Sequence, residues 1–162
     1  MKKTLKAAIY LIIYTMVIWS AGWVSVRTYD SIRMANVGTT AIGESMFTMI
    51  NNERAKVGAP PVVFDDNVAK AAKEKSCDMK DRNYFDHADP DGIHGWHFLV
   101  ENDVFYTVAG ENIAKSRVTA NAEQEMRGFM NSKGHREIIL DPQFTKVGYA
   151  SCGVYTTQYF IK

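Results

Sequence analysis

An α+β fold is predicted by three observations. Helical periodicity marks most of the chain after residue 41, strand-like alternation is confined to its last stretch, and no β-α-β alternation links the two. Such an order folds as helices packed on a small antiparallel sheet, here preceded by an N-terminal hydrophobic helix. Apolar residues make up 46% of the 162, enough for a core, and the net charge is +1. That balance gives no electrostatic argument for nucleic acid, and no acidic tract suggests a disordered tail.

The first element is apolar. Lys2, Lys3 and Lys6 precede an uncharged run from Ala7 to Val26, with Trp19 and Trp23 near its far end and Arg27 after it. A helix of that length spans a bilayer core. Lysines ahead of the span keep the N-terminus cytoplasmic and send the rest across. A cleaved signal peptide is the competing reading, but its best processing site, Ser20-Ala21-Gly22, is followed at once by Trp23. A signal-anchor over residues 1–27 is favoured. Both readings make the remainder extracytoplasmic, membrane-anchored or secreted, so the membrane is one expected partner. Residues 28–40 read as a linker and 41–162 as the folded domain.

Within the domain, Ile42, Met46, Met49, Ile50, Glu53 and Val57 recur at helical spacing. Gly58 and Pro60-Pro61 end that helix. Val62-Val63-Phe64 is a short extended step, and Asp65 or Asp66 caps a second helix with the stripe Val68, Ala72, Ser76 and Met79, which runs out near Arg82. Residues 83–110 read as irregular and aromatic, with a turn at Asp89-Pro90-Asp91-Gly92. Val118, Ala122, Met126 and Phe129-Met130 mark a third helix with Thr119 as its cap. Ser132 caps a fourth, which ends before Asp141-Pro142. Two strands from Val147 to Ile161 break at Cys152-Gly153. Cys77 and Cys152 fit no zinc spacing. Export would permit a disulfide between them, and two buried thiols are the other reading.

The candidate chemistry lies in punctuated motifs. His87 sits in FDHADPDG, Glu111 in GENIA and His135 in FMNSKGHREIIL, with FTKVGYA after them. These stretches, in this order, resemble the bacterial branch of the CAP superfamily, which groups cysteine-rich secretory proteins, antigen 5 allergens and plant pathogenesis-related proteins. INNERAKVGAPPVVFDDNVAKAAKEKSCDMKDRNYFDH resembles the start of the same domain, so the resemblance covers residues 44 to 160. It implies an α-β-α sandwich with two histidines and two acidic residues facing a cleft, where some members bind a divalent metal.

Carried over by motif, His87, Glu111 and His135 match three of those positions. Ser132 stands where eukaryotic members have the fourth acid, with Phe129 in place of the helix tryptophan. Glu125, one turn earlier, is a weak substitute. His87 and His135 are the metal candidates, for an ion such as zinc with water in an open position. Glu111 is either a general base or the carboxylate that orients an imidazole. A helix N-terminus at Ser132 would lower the His135 pKa. A purely structural network of the same groups is the plain alternative. His94 and His97, near Trp96, read as loop histidines at the cleft rim.

Three functions follow as expectations: a binding module for a lipid, wall or peptide ligand first, a metal-dependent hydrolase second, and a structural envelope protein third.

Overall fold

A computed structural model describes residues 41–117 and 121–162. The N-terminal hydrophobic segment, the linker and the Thr119 cap lie outside these residues. Among the described residues no helix is long and apolar enough to cross a membrane.

The domain opens with helix α1, Ala41–Lys56, followed by β1, Val63–Phe64, and helix α2, Asp66–Asp81. Asp65 is the cap of α2, accepting from the Asn67 and Val68 amides at 3.1 and 3.2 Å. Helix α3, Trp96–Glu101, and strand β2, Ala109–Lys115, come next. Then follow helices α4, Ala122–Asn131, and α5, Lys133–Leu140, and strands β3, Lys146–Cys152, and β4, Tyr155–Ile161. The cap of α4 is Asn121, which accepts from the Gln124 amide.

The sheet order is β1-β3-β4-β2. β2, β3 and β4 are antiparallel, but β1 pairs parallel to β3, Val63 with Lys146 and Phe64 with Val147. The expected antiparallel sheet is therefore mixed at one edge, because β1 reaches β3 through a long crossover rather than a hairpin.

Two apolar clusters lie on opposite faces. One joins Met46, Ile50, Met126, Phe129 and Ile139 to Val147, Tyr149 and Phe160. The other joins Val68, Ala71, Ala72, Phe98 and Leu99 to Tyr159 and Ile161. Neighbouring residues Tyr159 and Phe160 divide between the clusters, as strand alternation requires. β4 is buried along its length, the central strand of an α-β-α sandwich.

Two further expectations are corrected. Residues 83–110 are not wholly irregular, since they contain α3 and the start of β2. α3 is only six residues long, too short to show a period. β2 reads AGENIAK, poor in strand formers, and is held by pairing with β4 from Ala109–Ile161 to Lys115–Tyr155. Val57 lies outside α1 and is 59% exposed, while Arg54 is fully buried on that helix. Its guanidinium donates to the carbonyls of Pro60, Ile139, Asp141 and Phe144.

Cys77 on α2 and Cys152 at the end of β3 form a disulfide. The turn after Cys152 carries Gly153 at φ +64°, the left-handed backbone a two-residue hairpin asks of glycine.

Candidate functional site

The loop after α2 delivers His87. Its turn is fixed by Asp89, whose carboxylate accepts from the Asp91 and Ile93 amides and from Arg82. Gly92 supplies the left-handed residue, at φ +83°. A bridge between Ala88 and His94 closes the loop, and the Gly95 amide donates to the His87 carbonyl.

β2 delivers Glu111, buried where His87 is half-exposed. His87 Nδ1 meets Glu111 Oε1 at 2.5 Å. This bond raises the His87 pKa above its usual value, against the opposing effect of burial. When protonated, the ring donates Nδ1–H to the carboxylate. The second Glu111 oxygen, Oε2, is buried with no hydrogen-bond partner. It lies beside Gly95 and the Tyr159 hydroxyl, whose single proton goes to the Gly95 carbonyl at 2.7 Å. A side chain at position 95 would collide with both groups.

His135 stands in the first turn of α5. Its ring packs edge-on against Phe129, with centroids 5.2 Å apart. Its carbonyl accepts from Asn112 Nδ2 at 3.2 Å, which fastens this turn to β2. Burial lowers its pKa, and the charge of His87 lowers it further, so the two imidazoles are in electrostatic reach. The direction is the one expected from a helix N-terminus, but the cause is burial and a neighbouring cation.

Ser132 occupies the N-cap position of α5, yet its side chain makes no capping bond. The cap expectation holds for its backbone alone. Glu125 does not stand in for the missing acid. It is buried in another network, accepting from Ser116 at 3.1 Å, Tyr149 at 2.6 Å and Thr156 at 2.8 Å.

A cleft of about 550 Å³ opens between these elements. His87, His94 and Glu111 line it together with Glu137, Asp141 and Gln143, and Trp96, Val108, Ala109, Ile138 and Phe144 form its apolar wall. Gly110 forms part of the floor, where an added Cβ would strike Ile138 and Phe144. Gly134, not its neighbour His135, is among the lining residues. His97 turns away, its Nδ1 on the His94 carbonyl at 2.9 Å.

A divalent ion needs more donors than the described residues bring together here. Among the described residues no three His, Cys, Asp or Glu side chains gather closely enough to hold one. Glu111 Oε1 is already committed to His87. Two imidazoles remain, one fewer than the protein ligands of a catalytic zinc site.

Sequence reasoning missed Lys75. It is fully buried, and its ammonium donates to Tyr84 Oη at 3.0 Å, the Asp86 carbonyl at 2.9 Å and the His87 carbonyl at 3.2 Å. The signal was present, because Lys75 falls seven residues after Val68 on the buried stripe of α2.

Comparison with known proteins agrees with this fold. The profile of the cysteine-rich secretory protein (CAP) family matches residues 47–161. The protein YkwD of Bacillus subtilis (strain 168) is 41% identical over 124 residues, covering 75% of this chain and 48% of that protein. The membrane protein YlbC of the same organism is 35% identical over 123 residues, covering 76% of this chain and 35% of that one. The chain thus spans about half or less of the length of these relatives. Among solved structures, an extracellular SCP-domain protein from Bacillus anthracis superposes with a TM-score of 0.70 at 33% identity, over 75% of this chain and 40% of that one.

Proposed function

Because this chain belongs to the cysteine-rich secretory protein (CAP) family, we propose that it is an extracytoplasmic binding module that takes a lipid, wall or peptide ligand in the His87–Glu111 cleft. The observation that carries this reading is the cleft itself. Its size, its apolar wall of Trp96, Val108, Ile138 and Phe144, and the polar groups set among them are the make-up of a small-ligand site. Export is supported by the Cys77–Cys152 disulfide, by the extracellular Bacillus anthracis protein and by the membrane protein YlbC. Attachment through residues 1–27 completes the proposal.

The test uses the full chain with Trp19→Phe and Trp23→Phe, which leaves Trp96 as its only tryptophan. Titration with a long-chain fatty acid, a muropeptide and an apolar tripeptide is followed by Trp96 emission. The expected result is saturable change with one class, lost in Ile138→Glu. No saturable change with any of them would reject the cleft as a binding site and favour the structural role.

A second reading has one observation in its favour, the bond between His87 and Glu111. A carboxylate holding an imidazole is the arrangement of an oriented general base, so the same cleft suits a hydrolase. Its metal-dependent form is tested by calorimetric zinc titration of the chain beside His87→Ala and His135→Ala. One tightly held ion, lost in both variants, supports that form, and no binding rejects it.

A further inference from the structure

His87 is held from two sides. Glu111 holds the ring, and Lys75 holds the main chain behind it. The Lys75 ammonium is inaccessible to solvent and spends its donors on three acceptors, two of them the consecutive carbonyls of Asp86 and His87. The third, Tyr84 Oη, donates its own hydrogen bond to Asp78 at 2.6 Å. These bonds tie the loop to α2 at the point where the His87 side chain leaves it.

Lys75 also faces Glu111 electrostatically. The stem of Lys75 and Glu111 Oε2 both border Gly95, at 3.3 and 2.5 Å from the point a Cβ would occupy. No Lys or Arg forms an ion pair with Glu111 among the described residues, and Lys75 acts on it through its field alone. Burial lowers the Lys75 pKa, and the charges of Glu111, Asp78, Asp89 and Asp86 oppose that shift.

We propose that Lys75 is the positioning residue of the cleft: it fixes the Asp86–His87 main chain so that the imidazole meets Glu111. This rests on His87 and Glu111 being the working pair of the site, but its test is spectroscopic and needs no ligand, so it can fail while the binding reading stands.

The experiment compares the full chain with Lys75→Met, which keeps the length of the side chain and removes its charge. Tyr84→Phe is the control, since it removes one acceptor but leaves both carbonyls bonded. The readout is the His87 Nδ1–H proton resonance and its exchange with water. In the parent and in Tyr84→Phe it should be resolved and slow. In Lys75→Met it should vanish or exchange faster by about tenfold or more, as loss of a hydrogen bond's protection predicts, while the Phe129 and Phe160 signals of the other face stay in place. An unchanged His87 resonance in a folded Lys75→Met protein overturns the proposal. Should that variant not fold, the parent's Lys75 ammonium decides. Slow exchange with contacts to the His87 Hα supports the assignment, and fast exchange refutes it.

Discussion

His87 and His135 respond to pH in opposite senses. The bond to Glu111 raises the folded-state pKa of His87 above the unfolded value of about 6.5. Its contribution to stability is therefore complete below that value and is lost as pH rises through the higher folded pKa. Burial first, and then the charge of His87, lower the folded-state pKa of His135. As pH falls below about 6.5 the unfolded chain takes up that proton first, and stability is lost towards the lower folded pKa. Thermal melts between about pH 5 and 8 check both signs. His87→Gln, which lacks the term that favours low pH, should gain stability with rising pH more steeply than the parent. His135→Gln should gain less.

At the scale of elements, helix α2 lies directly on β3. A Cβ at Gly148 would run into the backbone of Val68 and Ala69, atoms that cannot rotate aside. Gly148→Ala should cost about 3 kcal/mol, the upper range for overpacking, measured by urea unfolding. The same two elements are bridged covalently across 75 residues by Cys77 and Cys152. Replacing both with serine should cost about 2–5 kcal/mol, read in the same assay. Arg54 clasps the far side, where the end of α5 and the turn into β3 present their carbonyls. Arg54→Met leaves the carbonyls of Pro60, Ile139, Asp141 and Phe144 without this donor and should cost about 3 kcal/mol. Removal of the arginine would also loosen the wall formed by Ile138, Asp141 and Phe144, so cleft affinity should fall with stability.

For the whole molecule, the shared sheet couples the two faces. Both apolar clusters use β4, so neither can melt and leave the other with its strand intact. Unfolding of a chain lacking residues 1–40 should therefore be one cooperative transition, with near- and far-ultraviolet circular dichroism coincident. Separate transitions would show that the faces are independent. The cleft lies where the loop after α2, β2 and α5 converge, three segments far apart in sequence, so its geometry depends on that cooperativity.

The sequence by itself determined what is local or repeated along the chain. The stripe Val68, Ala72, Ser76 and Met79, the Asp65 cap, the turn at Asp89–Gly92 and the hairpin break at Gly153 were all legible, because each depends on residues a few positions apart. The family, and with it His87, Glu111 and His135 as residues to watch, was legible in four short motifs. Tertiary structure alone decided the rest. AGENIAK is a strand because β4 pairs with it, not because its residues favour extension. Glu125 looked able to reach the cleft from one turn before Phe129, but its hydroxyl partners come from Ser116, Tyr149 and Thr156 and draw it elsewhere. Lys75 and Arg54 are polar letters in the sequence and buried charges in the fold. Most of their acceptors are backbone carbonyls, which every residue carries, so the helical stripe marks Lys75 as buried but no side-chain pattern names its partners before the chain has folded.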